Sequence, residues 1–144
     1  MLGAASAAYL AWLASLTLGP QPEGAGGTLK ALSETFATLP VTAWLTYPVL
    51  EFTANVALFT PVGALWVLWT GPRRWWLATG VGLALSAAIE LTQAIALPAR
   101  YPDVRDLIAN TLGAAVGAGA VAAIARVSRR ARRSPGAGDL TAGA

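Results

Sequence analysis

Apolar residues run along this chain in four blocks, at 2–19, 52–70, 75–97 and 106–125. Each comes close to the ~20 residues that a helix needs to cross the hydrocarbon core of a bilayer. The first block, LGAASAAYLAWLASLTLG, carries no charge. It has no basic stretch before it and no A-x-A where cleavage would be needed, which favours an uncleaved span over a signal peptide. The second block contains one Asn, the third contains Glu90 and Gln93, and the fourth contains Asp106 and Asn110. Between the first two, residues 20–50 are too many for a plain turn. Within them TLKALSETFATL spaces Leu29, Leu32, Phe36 and Leu39 along one helical face. That pattern predicts an amphipathic helix on the outer membrane surface, and a soluble packing element would show the same spacing.

The basic residues orient these spans. Arg73 and Arg74 lie in the turn between blocks two and three, and Arg126, Arg129, Arg130, Arg132 and Arg133 follow block four. Only Lys30, Arg100 and Arg105 fall on the other side. This imbalance places both termini and the 71–74 turn in the cytoplasm. Trp66, Trp69, Trp75 and Trp76 then form an inner aromatic belt, with Trp44, Tyr47 and Tyr101 near the outer interface. The expected fold is all-α: an integral membrane four-helix bundle, N-in and C-in, with the amphipathic helix in its first external loop. Residues 1–126 form the transmembrane domain, and 127–144 form a basic, disordered cytoplasmic tail whose plain reading is to set topology.

Composition narrows the chemistry. Of 144 residues 56% are hydrophobic and only 12% charged, about half the charged share of a soluble domain. Cys and His are both absent. Disulfides, thiolate and imidazole metal sites, and Ser-His-Asp or Cys-His nucleophiles are therefore excluded. Any chemistry rests on carboxylates, amides, hydroxyls and arginines. The pI near 10 does not point to nucleic acid, because the base excess sits in RVSRRARR, directly after an apolar span.

Depth along the spans, at 1.5 Å per residue, puts the polar side chains in one layer. Glu90 lies about 10 Å inside the outer end of its helix, and Asn110 and Asn55 lie about 6–8 Å inside theirs. Glu51 and Asp106 sit near the rim. Gly82, Ser86, Glu90 and Gln93 share one helical face, as do Asp106, Asn110, Gly113 and Gly117. Glycine at 113 and 117 is a G-x-x-x-G spacing that lets helix backbones approach closely. The polar groups thus fall on the faces that meet other helices, and Glu90, Gln93, Asp106 and Asn110 can converge beneath Arg100 and Arg105.

Each of these residues also has a structural reading. An ionised carboxylate in a span costs about 2.5–3.5 kcal/mol at the centre, so Glu90 must be paired, protonated or hydrated. A clamp to Asn110, Asn55 or Arg100 would meet that need. In PDVRD, Asp103 fits an N-cap and Asp106 the third helical position, both favourable at a helix N-terminus. Pro61 and Gly63 read as a kink in the second span. Arg100 suits a phosphate or carboxylate, or is a solvated loop charge.

Three ordered blocks resemble the VanZ-like membrane protein family: NVALFTPVG (55–63), SAAIELTQ (86–93) and RYPDVRDLIANTLGAAVG (100–117). They follow N-x-x-x-F-x-P-x-G, then I-E-x-x-Q, then R-x-x-D-x-x-D-x-x-x-N-x-x-G, over about 51–120. Carried over by position, the signature residues are Asn55, Phe59, Pro61, Gly63, Glu90, Gln93, Arg100, Asp103, Asp106, Asn110 and Gly113. The family takes its name from a member linked to teicoplanin resistance. The resemblance therefore implies a multi-pass protein of the bacterial cytoplasmic membrane with a cell-envelope role, and supplies no reaction.

Three functions are compatible with this pattern. A non-enzymatic protein would bind a membrane lipid or cell-envelope amphiphile, its head group held by Asn55, Glu90, Gln93, Arg100, Asp103, Asp106 and Asn110. An intramembrane enzyme on a lipid-linked substrate would use Glu90 as base, with Asp103 or Asp106 as acid or as a ligand for Mg²⁺ or Mn²⁺. An accessory subunit would use the polar layer only to hold its helices. The first is preferred, with no cofactor, no resident metal and no nucleic-acid partner expected.

Overall fold

Why residues 47–70 form one helix is visible at both ends. Pro48 occupies the first turn, where its missing N–H costs nothing, and Thr46 before it is extended. Gly71 stops the helix with a positive φ of 82°. Hydropathy alone starts this span at 52, since Glu51 interrupts the apolar run, but Pro48 sets the start a turn earlier.

The computed structural model describes residues 1–19, 23–96 and 103–133. They form α1 (Leu2–Leu18), α2 (Glu23–Ala37), α3 (Tyr47–Thr70), a 3₁₀ turn (Pro72–Arg74), α4 (Leu77–Ala96) and α5 (Val104–Arg133), with no strand among the described residues. The all-α class is as expected. The count of spans differs: α3, α4 and α5 are long and apolar enough to cross a membrane, whereas α1 is a shorter apolar helix of 17 residues. Residues 127–133, expected in a disordered tail, are helical and continue α5. The remaining tail, 134–144, lies outside the described residues.

α5 is the centre of the packing, against α3 along its length and against α4. Its buried positions are small: Ala109, Asn110, Gly113, Ala114, Gly117, Ala118 and Ala122. Its exposed positions are large: Val104, Ile108, Leu112 and Val116 recur every fourth residue. Small inside and bulky apolar outside inverts the soluble pattern and fits a helix with lipid on its outer face.

The contact between α3 and α5 is backbone on backbone. A Cβ added at Gly63 would lie 1.8 Å from the Ala114 carbonyl oxygen, and one at Gly117 would lie 1.8 Å from that of Thr60. One at Gly113 would lie 2.3 Å from the Val56 oxygen. Each glycine therefore directs a Cα hydrogen at a carbonyl of the facing helix, an interaction that recurs at helix interfaces. Gly63 completes this contact, and α3 continues as a helix through Pro61. On α4, Gly82 faces a side chain instead: a Cβ there would lie 2.4 Å from the Cβ of Ala114.

α1 attaches at three levels. Trp69 donates to Ser6 Oγ (3.0 Å), the Tyr9 hydroxyl donates to the Leu58 carbonyl, and Gln93 donates to the Thr17 carbonyl (2.8 Å). Leu13 joins Phe59, Val62 and Ile89 in the buried core. These ties set the directions. α3 and α5 run parallel, α1 and α4 run the other way, and the start of α1, the 71–76 turn and the end of α5 share one end of the molecule.

Gly63→Ala and Gly117→Ala should each lower stability by about 1–3 kcal/mol or more, since a backbone carbonyl cannot move aside as a side chain can. Gly80→Ala, whose Cβ would meet nothing within 4 Å, should stay within about 1 kcal/mol of wild type. Thermal unfolding in detergent checks the contrast.

Candidate functional site

Because α3 and α5 are parallel, their N-termini lie at the same end, opposite the arginine-bearing turn. Both ends carry the positive pole of a helix dipole, which favours carboxylates nearby. Four gather there: Glu51 on α3, Glu90 near the end of α4, and Asp103 and Asp106 at the start of α5. Glu51, Glu90 and Asp103 all act on Asp106 as like charges, and Asn55 opposes them as a donor.

Asp103 is the N-cap of α5, its Oδ1 accepting from the Arg105 N–H (2.8 Å). Asp106 is in the third helical position, from which an acidic side chain commonly reaches back to the N-cap N–H. It does not do so here. Asp106 accepts instead from Asn55 Nδ2 on α3 (2.6 Å), and the Asp103 N–H donates to Glu90 Oε2 on α4 (3.1 Å). A capping role normally filled within one helix is thus filled by its neighbour, and three helices are joined at one point. Glu51 accepts from the Tyr47 hydroxyl (3.0 Å).

One turn deeper, Asn110 Nδ2 donates to Ser86 Oγ (2.9 Å). Ser86 is fully buried and Asn110 only 6% exposed. Asn110 Oδ1 has no hydrogen-bond partner, so a buried acceptor remains available.

The structure therefore brings Asn55, Glu90, Asp103, Asp106 and Asn110 into adjacent rungs. It does not bring Gln93 to them, because that side chain turns to α1. Arg105 is exposed at the first turn of α5. Arg100 lies outside the described residues. Among the described residues no group of three or more acidic side chains is arranged to hold a metal ion. Ser86 was legible only as a small residue, although its place four before Glu90 on the same face marks it as the next rung. Tyr9, whose hydroxyl ties α1 to α3, has no polar pattern around it in the sequence beyond being the one phenol of an uncharged apolar helix.

Beside the layer, an open cleft of about 310 Å³ lies between α4 and α5, lined by Ala87, Glu90, Leu91, Ala94, Asp103, Val104 and Leu107. Its walls are aliphatic and its two polar residues are joined by the Glu90–Asp103 bond. Leu91 and Val104, 62% and 68% exposed, form an apolar rim.

Three helices long and apolar enough to cross a bilayer, packed through small residues with bulky apolar side chains left outside, suggest the class: a helical membrane protein. The chain belongs to the VanZ/LLP1 family, whose model matches residues 6–126. No curated protein and no solved structure matches it.

Asn55→Ala should destabilise by about 1–3 kcal/mol, because it leaves the Asp106 carboxylate without its amide donor. Thr53→Ala, which removes an exposed hydroxyl bonded only to its own helix, should change stability by less than about 0.5 kcal/mol. Chemical or thermal denaturation in one detergent compares the two.

Proposed function

We propose that the protein binds an amphiphilic cell-envelope molecule at this polar layer, with the layer in the outer leaflet and both ends of the chain in the cytoplasm. The observation that carries the reading is the α4–α5 cleft, where aliphatic walls lead from an apolar rim to Glu90 and Asp103. A chain would lie along Ala87, Leu91, Ala94 and Leu107, and its head group would meet the carboxylates. Arg100 is the basic group proposed to contact an anionic part of that head group. Orientation is supported by the arginine asymmetry, and the exposed apolar side chain of Leu32 on α2, with Leu39 just beyond its end, supports placing this segment against the outer surface. A link to teicoplanin resistance, which comes from the family resemblance, is compatible with this reading and with its alternatives.

A second reading, an accessory subunit whose polar layer only joins helices, is supported by the same bonds, because Asn55, Glu90, Gln93 and Asn110 each hold another helix. Glu90→Gln separates the two. Glutamine keeps an oxygen that can accept the Asp103 N–H, so the cap survives while the charge is lost. For a ligand site, the variant should unfold within about 1 kcal/mol of wild type and yet abolish any change in teicoplanin susceptibility of expressing cells. A susceptibility effect that falls only in step with protein level supports the accessory reading.

Topology has its own test, made simple by the absence of cysteine. Val41→Cys, at a position 82% exposed, should react with a membrane-impermeant maleimide in intact cells. Arg73→Cys should react only after the membrane is opened, and the reverse pattern would invert the proposed orientation.

A further inference from the structure

The arginine-bearing end is built as a surface of its own. α5 has 30 residues, about 45 Å of helix, which equals the full thickness of a bilayer including its head groups. Residues 104–125 span about 33 Å, so the last eight, about 12 Å, pass through the head-group layer. That segment carries Arg126, Arg129 and Arg130, all exposed. Ala122, Arg126 and Arg129 follow at i, i+4 and i+7, one helical face. Ala122 is buried against the bundle, and Trp75 reaches Gly119 one turn earlier, at 4.0 Å from the position of a Cβ. The arginine face therefore rises on the side of α5 that carries the 71–76 turn, whose own Arg73 and Arg74 are exposed. Among the described residues every acidic residue lies on α2 or in the polar layer at the opposite end, so no described carboxylate faces this corner.

We propose that this corner is a binding site for anionic phospholipid, with Arg126, Arg129 and Arg130 on α5 and Arg73 and Arg74 on the turn engaging the lipid phosphate. Guanidinium groups suit phosphate because their paired N–H donors match its oxygens. Helical order distinguishes the site from a solvated tail, since it holds the three α5 arginines at the depth of the phosphates. The assignment rests on the helices spanning a bilayer and is independent of what the polar layer binds.

The test equilibrates the detergent-purified full-length protein with equimolar phosphatidylglycerol and phosphatidylcholine of identical chains, then measures retained lipid by mass spectrometry. Wild type should retain phosphatidylglycerol in excess. The excess should fall about fivefold for each arginine lost in Arg126→Gln/Arg129→Gln/Arg130→Gln, and should disappear in high salt. Equal retention of the two lipids by wild type, or an undiminished excess in the triple variant, overturns the proposal. Inorganic phosphate that displaces phosphatidylglycerol at equal concentration also overturns it, because the site would then recognise phosphate and not lipid. If the triple variant does not fold, the single variants Arg129→Gln and Arg73→Gln are read by the same ratio and the same two outcomes.

Discussion

The close approach of α3 to α5 is the constraint on which the rest depends. Gly63, Gly113 and Gly117 remove the side chains that would hold the helices apart, and each meets a carbonyl of the partner helix. In a bilayer the lipid is as apolar as the side chains, so packing and polar contacts hold helices together in place of hydrophobic burial. Val56 and Thr60 supply two of these carbonyls. Asn55 sits one residue before Val56, and Asp106 lies two turns above Gly113 on α5. The same register that seats the glycines therefore brings Asn55 and Asp106 to 2.6 Å.

Parallel packing of α3 and α5 has an electrostatic result as well. Two helix N-termini face the same side, and four carboxylates occupy that positive region. The exchange of capping partners follows: Asp106 is drawn to α3, and Glu90 of α4 accepts the amide that Asp106 leaves. Fold and site are the same set of bonds, so Glu90→Gln, which alters charge while preserving the acceptor, is more informative than truncation. The opposite end is organised by the reverse charge, with aromatic side chains between: Trp66 donates to the Arg74 carbonyl and Trp69 to Ser6. Carboxylates at one pole and arginines at the other give the molecule an axis along which a membrane can be placed.

Much of this was legible in the residues alone, and for identifiable reasons. Hydropathy located α3, α4 and α5 because a bilayer demands long apolar runs. The i, i+4 spacing of Gly113 and Gly117 announced a close contact, and PDVRD announced the cap at Asp103. The layer of Asn55, Glu90, Asp106 and Asn110 followed from depth, since helical rise is constant. Helix ends were less legible: Pro48 outranked hydropathy at the start of α3, and α5 continued through RVSRRARR because charge does not stop a helix that lacks Gly or Pro.

The sequence by itself thus determined the helical class, the family signature and the position of each polar residue along its helix, because these depend on local spacing and composition. Only the tertiary structure decided which side chain meets which. Gln93 shares a helical face with Glu90 yet turns to Thr17 on α1, and Ser86, legible as a small residue, became the partner of Asn110. Gly63 became the point of closest approach to Ala114. A periodic pattern gives the direction in which a side chain leaves its own helix, but its partner depends on the distance and rotation between helices, and those are set by backbone packing.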